Sequence, residues 1–379
     1  MRSTKFRFPV TTLVGSPVPN IAAMCRNHRV EPRYYAKFAL SVAIAGILDI
    51  LGLYEKLAWK SRIEAVRTDK PPIFIIGFWR SGTTLLHNLL CCDPEAAYTT
   101  TYQNVFPKIT LSQNWWLNPL TNIFLPEKRP FDNVNMDMSN PQEEEFGMVN
   151  MNPYSLYNFL LFPADFDRIV DSEMSPEDFT DEELSSWQKT YRELIAKAML
   201  NTGGKRFISK NPCNIPKITM LKEMFPGAKF IFIHREPAQV VESFFLFVHS
   251  IFPGVQLQTV PASFNRERAA RFYADMMHRY FALKDSVPEG DLMEIRMEDF
   301  INDPLSYMDQ IYRTFDLGLF DFADICQAKY LASAEKREKN HYAIPAETLL
   351  YVNKYASDII ERLGYPKKES STPVPEMSM

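Results

Sequence analysis

The stretch IFIIGFWRSGTTLL, residues 73–86, decides the fold. Its first four residues are apolar and mostly β-branched, which predicts a short buried strand. Gly77 then allows a sharp exit from the strand, and Gly82 lets the backbone approach a ligand closely. Leucines recur at helical spacing after Thr84, so a helix should follow. A strand, a glycine loop and a helix N-terminus together predict an anion cradle, because free N–H groups and the helix dipole point into the loop.

The loop is close to the Walker A pattern G-x-x-x-x-G-K-[ST], in which the lysine contacts the nucleotide phosphates. Gly77 and Gly82 have the right spacing and Thr84 is at the Ser/Thr position, but Thr83 stands in place of the lysine. The cation of this loop is Arg80 instead. The pattern therefore indicates a phosphate-like ligand and argues against ATP hydrolysis. The alternative is a structural turn with an incidental arginine, which would not require serine, glycine and two threonines beside it.

A second strand and helix carry another arginine. Residues 229–235, KFIFIHR, form a short apolar strand that ends on Arg235, and Pro237 suits the first turn of a helix. Ser243 lies eight residues after Arg235, two turns into that helix. This spacing would let the two side chains hold one phosphate together.

With both motifs in this order, the chain resembles the sulfotransferases that use 3′-phosphoadenosine 5′-phosphosulfate (PAPS). The resemblance covers residues 71–365 and is closest to the bacterial branch with an R-S-G-T-T loop, related to the tyrosylprotein sulfotransferases. It implies that Arg235 and Ser243 bind the 3′-phosphate of PAPS and that Lys210 is the catalytic lysine. It further implies that Arg80 neutralises the phosphosulfate and that no metal is needed. The implied binding loop for the 5′-phosphosulfate consists of Arg80, Ser81, Gly82, Thr83 and Thr84.

The general base does not follow from the resemblance. Thr101 and Pro212 occupy the two positions where relatives place a glutamate or a histidine. Glu143 and Glu145 are our candidates, because similar bacterial members carry a P-x-E-x-E-like pattern there. Crowding with Glu144 would raise a carboxyl pKa toward neutrality.

Two alternatives to this assignment remain open. The acidic triplet 143–145 would also suit a solvated first turn of a helix, favoured by the helix dipole. His87 and His249 are rival bases, although a histidine at the position of His87, on the helix after the loop, is more often a packing residue.

Strands that alternate with helices predict an α/β fold with a P-loop-like central parallel sheet flanked by helices, a helical N-terminal extension and an aromatic-rich insert. We divide the chain into an N-terminal arm and helical extension at 1–70, a sulfotransferase domain at 71–365 and a disordered tail at 366–379. Ligands bind such sheets at the carboxyl ends of the strands. Three cations should therefore converge there: Arg80, Lys210 and Arg235.

Composition limits the partners and the compartment. The chain has 379 residues, a net charge of −4 and a pI near 6.0, so global charge does not indicate nucleic-acid binding. The five cysteines show no metal-ligand spacing, and an odd, scattered set indicates a reducing compartment. We therefore expect a cytoplasmic protein.

Two further stretches each have two interpretations. The apolar run 38–53 is short for a membrane span and predicts a buried or amphipathic helix. The second interpretation is peripheral membrane contact through residues 34–60, because aromatic and basic residues flank the run. The cationic cluster Lys336, Arg337 and Lys339 either reaches the 3′-phosphate of the cofactor, as in related enzymes, or is a solvated helix end.

The predicted function is transfer of the sulfuryl group of PAPS to a hydroxyl of a small acceptor. The acceptor should be hydrophobic or lipid-like, such as a sterol, a long-chain alcohol or a phenol, because the insert at 98–163 is rich in aromatic residues and methionine. One alternative is a P-loop kinase or nucleotide-binding module without sulfuryl transfer. Another is a degenerate sulfotransferase fold that binds nucleotide without turnover.

Overall fold

A parallel sheet lies at the centre of the protein, whose computed structural model describes residues 10–122, 137–334 and 343–368. In these ranges the sheet has five strands in the order β2-β3-β1-β4-β5, and every neighbouring pair is parallel. The strands are β1 Ile73–Ile76, β2 Ala96–Ala97, β3 Arg206–Lys210, β4 Lys229–His234 and β5 Leu292–Arg296. The observed sheet confirms the predicted α/β fold.

Helices cover both faces of this sheet and extend beyond it. The α-helices are α1 Val18–Asn27, α2 Tyr35–Ala65, α3 Thr83–Leu90, α4 Thr101–Val105, α5 Asn114–Asn122, α6 Glu145–Met151, α7 Asn158–Leu161, α8 Phe166–Met174, α9 Asp181–Thr202, α10 Ile218–Met224, α11 Pro237–Val255, α12 Arg266–Leu283, α13 Met297–Phe300, α14 Pro304–Thr314, α15 Ala323–Ala334, α16 Ala346–Tyr355 and α17 Ser357–Arg362. Short 3₁₀ turns occur at Thr12–Gly15, Pro32–Tyr34, Pro107–Ile109, Pro163–Asp165, Pro176–Asp178, Pro212–Lys217 and Lys284–Ser286.

The central strand β1 is apolar throughout because both of its faces are covered. Phe74 and Ile76 pack into the larger hydrophobic core, whereas Ile73 and Ile75 pack into a second core on the other face. Side chains alternate between the two faces of a strand, so only a continuous apolar run can serve both cores.

The strand register sets the position of the site. Within the sheet, Ile75 is aligned with Lys210 of β3, and Ile76 with Phe232 of β4. The carboxyl ends of β1, β3 and β4 therefore lie side by side at one edge. The residues that directly follow these three strands are therefore brought close together by the pairing of the strands.

The aromatic insert belongs mostly to the main core. Tyr157, Phe159 and Phe162 are each at most 2% exposed, and they pack with the residues that line the sheet. The insert is therefore not a separate layer over the site. Our division of the chain into 1–70, 71–365 and 366–379 stays a prediction, and residues 369–379 of the tail lie outside the described residues.

The run 38–53, predicted as a buried or amphipathic helix, is part of a longer helix, and that helix is not buried. Residues 35–65 form the single helix α2, in which only Ser41, Ala45 and Glu55 are buried. By length and composition alone, two described helices are apolar enough to cross a membrane, at 32–65 and at 237–255. In the most apolar window of the first, only 11% of the residues are buried.

A buried ion pair supports the turn that follows β3. Lys217 ends this turn, and its Nζ lies 3.1 Å from Glu173 of α8, with the two side chains 0% and 5% exposed. Lys217→Met should lower the free energy of unfolding by about 3–5 kcal/mol, because it leaves a buried carboxylate without its counter-ion. Urea unfolding measures the change.

Two further variants control this prediction. Lys217→Met/Glu173→Leu should recover most of the loss, since no unpaired charge remains. Arg313→Met removes an exposed ion pair with Asp309 on α14 and should cost at most about 0.5 kcal/mol. Equal losses of unfolding free energy in Lys217→Met and Arg313→Met would contradict the prediction, because the buried ion pair would then be worth no more than the exposed one.

Candidate active site

The loop between β1 and α3 is held in a conformation that only glycine tolerates at two positions. Gly77 has φ of 152° and Gly82 has φ of 107°. A Cβ at Gly77 would collide with the carbonyl oxygen of Ile233, and one at Gly82 would collide with the side chain of Met297. Arg80 also adopts a positive φ, 70°, which is unusual for a residue with a side chain.

Polar groups in this loop remain without protein partners among the described residues. The side-chain oxygen of Ser81 is buried and accepts or donates no hydrogen bond there. No side chain caps the start of α3, where Thr83 is buried and Thr84 is half-buried. Orphaned buried polar groups are costly, so a loop of this kind indicates a ligand that would satisfy them.

Arg80 and Arg235 lie near each other at the edge of the sheet. The Nε of Arg80 donates to Ser243 Oγ at 3.0 Å, and its guanidinium lies 5.6 Å from the ring centre of Phe247. Burial lowers the pKa of Arg235, and the positive charge of Arg80 adds to this shift, while Glu298 opposes it. The structure thus brings Arg80, Arg235 and Ser243 together, with Ser243 bonded to Arg80.

Lys210 ends β3 and is almost completely buried. Its side chain is 2% exposed, and Nζ donates to Glu143 Oε1 at 2.5 Å. The hydroxyl of Tyr157 donates to the other oxygen of Glu143, and Trp79 Nε1 donates to the Tyr157 hydroxyl at 2.9 Å. One chain of hydrogen bonds therefore links the loop after β1 to the lysine at the end of β3.

The other two carboxylates of the triplet point into the protein. Glu144 accepts hydrogen bonds from Ser209 and from Tyr191, the latter at 2.8 Å. Burial raises the pKa of Glu144. Glu145 is 0% exposed and accepts from Ser155 and from Asn211 Nδ2, at 2.6 and 2.8 Å. The interpretation of the triplet as a solvated helical turn is therefore wrong.

The structure separates Glu143 from its neighbour Glu145. The Glu143 side chain retains 13% exposure and contacts Lys210, whereas Glu145 is sealed behind it. Of the two candidate bases named from the sequence, only Glu143 lies beside the lysine and keeps some exposure to solvent. Both remain predictions, and the geometry favours Glu143.

The rival histidines do not contact this network. His87 is buried, and one ring nitrogen lies 3.2 Å from the carbonyl oxygen of Ile208. Burial and the charge of Lys210 lower the pKa of His87 to about 3, so its imidazole is neutral near pH 7. His249 is exposed on α11 and bonds through Nδ1 to the carbonyl of Phe245 at 2.9 Å.

Several residues of this network were not found in the sequence. Trp79 stands inside the quoted loop and Asn211 directly follows Lys210, so their positions were a usable signal. Ser209 directly precedes Lys210 and carried the same signal. Tyr157 and Tyr191 gave no local signal, because each meets the acidic triplet only through the tertiary fold.

Two other sequence predictions, on the C-terminal cationic cluster and on metal binding, stay predictions. The cluster Lys336, Arg337 and Lys339 lies outside the described residues. Within the described ranges, no three histidine, cysteine or acidic side chains are grouped so that they could hold a metal ion.

The chain is similar to mycobacterial proteins over most of its length. Omega-hydroxy-beta-dihydromenaquinone-9 sulfotransferase Stf3 of Mycobacterium bovis is 29% identical over 320 residues, which cover 84% of this chain and 81% of that protein. The protein of the same name from Mycobacterium tuberculosis gives the same values.

Solved structures share the fold. The crystal structure of sulfotransferase STF9 from Mycobacterium avium has a TM-score of 0.67 at 15% identity, covering 94% of this chain and 98% of that chain. Sulfotransferase STF1 from Mycobacterium tuberculosis has a TM-score of 0.64 at 19% identity, covering 89% and 90%.

The family comparison agrees with the two motifs and with the sheet that positions them. The model of the Sulfotransferase family matches residues 71–321, a span that includes the loop after β1, Lys210, Arg235 and Ser243. This chain belongs to the sulfotransferase family.

Proposed function

We propose that this enzyme transfers the sulfuryl group of PAPS to a hydroxyl of a small, hydrophobic, lipid-like acceptor. The observation that carries the proposal is the hydrogen-bonded chain Trp79–Tyr157–Glu143–Lys210, which starts in the anion loop and ends on a buried lysine. It puts a fixed cation and an accessible carboxylate next to a loop with open anion-binding groups. Sulfuryl transfer needs these three elements in one place.

The residues present fit PAPS as the donor. Among the described residues, the buried hydroxyl of Ser81 has no protein partner and the first N–H groups of α3 have no side-chain cap. Arg235 makes no hydrogen bond or ion pair with the described residues and lies near Arg80. Such a site would hold two separate anionic groups: Arg80 with Ser81, Gly82, Thr83 and Thr84 on one, and Arg235 with Ser243 on the other.

PAPS, when bound, supplies the sulfuryl group and a phosphate leaving group. Lys210 lies in a site from which water is almost excluded, and its ammonium group would there stabilise charge that develops on a leaving oxygen. Arg80 presents a planar guanidinium that binds an anion through two parallel N–H groups, which a lysine cannot do. These roles require no metal.

Glu143 is the group that we assign to the acceptor proton. One oxygen is bonded to Lys210 and the other to the Tyr157 hydroxyl, so its orientation is fixed from both sides. Glu145 is assigned a positioning role, because both of its oxygens hold neighbouring segments. His249 is the next candidate base.

The surroundings of Glu143 suit an apolar acceptor. Phe146 packs against Tyr157 with ring centres 4.7 Å apart, and Trp79 lies 6.2 Å from the same ring. The relative Stf3 is named for an omega-hydroxylated dihydromenaquinone, a hydroxyl on a hydrophobic molecule. By this similarity, a terminal hydroxyl on a lipid-like chain is the first acceptor class to test.

We also propose a reducing, cytoplasmic environment for the enzyme. All five cysteines are unpaired in the structure, in accordance with their scattered positions in the sequence.

Two measurements test the activity against its alternatives. Transfer of label from radioactive PAPS to a panel of sterols, long-chain alcohols and phenols should give a sulfated product. Calorimetry should give tight binding of PAP, the 3′-phosphorylated product nucleotide, and weak binding of ATP and GTP. Preferred binding of ATP would support the nucleotide-binding alternative. Binding of PAP without turnover on the whole panel would support a degenerate sulfotransferase.

The first site prediction concerns the 3′-phosphate. PAP should bind the wild type far better than 5′-AMP does, and Arg235→Ala should remove most of this difference. A charge-assisted phosphate contact is worth about 1.5–3 kcal/mol. Calorimetry with both nucleotides measures it. Arg313→Ala, at an exposed arginine, is the control and should change neither affinity. An equal loss of PAP and AMP affinity in Arg235→Ala would defeat the assignment.

The second prediction concerns Lys210. Lys210→Ala should keep PAP affinity within a few-fold and lower kcat roughly a hundredfold or more, because it removes one donor that acts mainly in the transition state. Lys205→Ala, at an exposed lysine just before the same strand, should retain the wild-type rate. EDTA should not change that rate. A near-normal kcat in Lys210→Ala, or a metal requirement, contradicts the mechanism.

The third prediction concerns the base. Glu143→Gln should still bind PAP and acceptor, while kcat falls by about 10²–10⁴ and the acid limb of the kcat/KM profile flattens. Gln has the same shape as Glu but leaves the buried Lys210 without its counter-ion, so the free energy of unfolding of the variant is measured as well, to separate loss of the base from loss of structure. The pH profile of the purified variant measures this effect.

Two matched variants accompany Glu143→Gln. Glu145→Gln should mainly lower stability, since its carboxylate accepts buried hydrogen bonds, and its pH profile should keep the wild-type shape. His249→Ala should retain turnover. Retained activity in Glu143→Gln, together with loss of turnover but not of PAP binding in His249→Ala, would transfer the role to the histidine.

A further inference from the structure

Over residues 35–55, helix α2 has its polar residues on the side that faces the protein. Between residues 35 and 55 its polar side chains are few, and they point inward: Lys37, Ser41, Asp49 and Glu55. Lys37 donates to the carbonyl of Gly254 at 2.7 Å, and Ser41 accepts from the Thr11 N–H at 2.9 Å. A soluble protein normally shows the opposite arrangement, with the apolar stripe of a surface helix turned to the core.

Asp49 and Glu55, the two acids of α2 before Lys56, are held by the N-terminal arm, the insert and α9. Asp49 accepts from the Val18 N–H at 3.0 Å and from Lys108 at 2.7 Å. Glu55 accepts from the N–H groups of Leu111 and Ser112, both at 2.8 Å, and forms an ion pair with a lysine of α9 at 3.0 Å. These contacts hold one side of α2 against the rest of the protein along the length of the helix.

The outward side of α2 is a continuous apolar stripe, which we call the α2 face. Its exposed fractions are large: 66% for Ile47, 72% for Ile50, 59% for Leu53 and 72% for Leu57. Every exposed residue of α2 before Lys56 is uncharged: Tyr35, Ala36, Ala39, Leu40, Ala43, Ile47, Ile50, Leu53 and Tyr54. The stripe is about 30 Å long at 1.5 Å per residue, too extensive for scattered surface leucines.

Aromatic and basic residues border the C-terminal end of this face. Lys56, Lys60 and Arg62 are exposed there, and the Arg62 guanidinium lies over the Trp59 ring at 4.8 Å. Trp115, which is 80% exposed, is the second residue of α5 and lies three residues after Ser112, which Glu55 holds. Helices that lie in the headgroup region of anionic membranes have this composition: leucine and isoleucine on one face, flanked by tryptophan, tyrosine and cationic residues.

We propose that the α2 face docks flat on the surface of an anionic lipid bilayer. The charge arrangement favours lipid over a second copy of the chain, because an apolar stripe with a cationic border complements a hydrocarbon layer beneath anionic headgroups. The helix lies on the bilayer and does not cross it. Crossing would draw Asp49 and Glu55, with their bonded lysines, into hydrocarbon.

Docking would also explain how a lipid-like acceptor reaches the enzyme. This consequence rests on the proposed function, whereas the docking itself rests on α2 alone. An enzyme held at the surface could take a hydrophobic alcohol directly from the membrane, where such molecules concentrate.

The test uses the purified full chain and flotation with vesicles. One set contains equal parts phosphatidylcholine and phosphatidylglycerol, and the other contains phosphatidylcholine alone. The wild type should float with the mixed vesicles and less with the neutral ones. Ile47→Asp/Ile50→Asp should reduce binding about tenfold or more, because both charges would enter the apolar layer. Lys56→Glu/Lys60→Glu should remove the preference for anionic lipid.

Leu319→Asp is the matched control. Leu319 is 86% exposed and lies after α14, so the same substitution there should leave flotation unchanged. A wild type that stays unbound with both vesicle types, or an Ile47→Asp/Ile50→Asp protein that floats like the wild type, overturns the proposal. Light scattering tests the alternative that the α2 face is a contact between two copies of the chain. A wild-type dimer that becomes a monomer in Ile47→Asp/Ile50→Asp, with no vesicle binding by either protein, would support that alternative and overturn the proposal.

Turnover separates this inference from the proposed function. Sulfuryl transfer to a water-soluble alcohol should be the same in the wild type and in Ile47→Asp/Ile50→Asp, which also shows that the variant is folded. Turnover without vesicle binding refutes the docking alone. Vesicle binding without turnover on any acceptor refutes the proposed function and leaves the docking supported.

Discussion

The buried ion pair between Lys210 and Glu143 is the interaction on which the site depends. Removing an ammonium from water costs several kcal/mol, and a carboxylate in good geometry is needed to offset that cost. The partner of Lys210 comes from a segment 67 residues earlier in the chain. The insert between α3 and β3 must therefore return to the edge of the sheet, and the site exists only when it does.

The same requirement extends to the rest of the acidic triplet. The three adjacent carboxylates each have their own hydrogen-bond partners. These are Lys210 and Tyr157 for Glu143, Tyr191 and Ser209 for Glu144, and Ser155 and Asn211 for Glu145. Burial still raises the pKa of Glu144 despite its hydrogen bonds. Such a network, fully satisfied, joins the insert to β3 as one rigid unit, so cation and carboxylate keep a fixed separation.

The sequence predicted what depends on local pattern. Short apolar runs bounded by glycine, proline or polar residues predicted the loop at 73–86, the strand before Arg235 and the position of Lys210 at a strand end. The alternation of such strands with helices predicted the parallel sheet. Tyr157 could not be found, because the insert has no period and its hydroxyl reaches Glu143 through the fold. The solvated turn stayed open as an alternative for the acidic triplet, because local rules consider only the helix that the triplet begins. For α2 the composition was visible, but the orientation of its faces was not, since its polar side is fixed by Thr11, Lys108 and Lys197.

The anion loop combines unfavourable features that its surroundings hold in place. Arg80 has a positive φ, and the pKa of Arg235 is lowered by burial and further by the positive charge of Arg80. Strain and like-charge repulsion persist only where neighbouring structure over-determines the backbone. Here the two residues before Arg80 are aromatic and buried: Phe78 is 2% exposed and packs edge-on against Phe244, while Trp79 is bonded to Tyr157. These two aromatic residues therefore anchor the loop on the core, and the anchoring holds Arg80 in position to bind an anion.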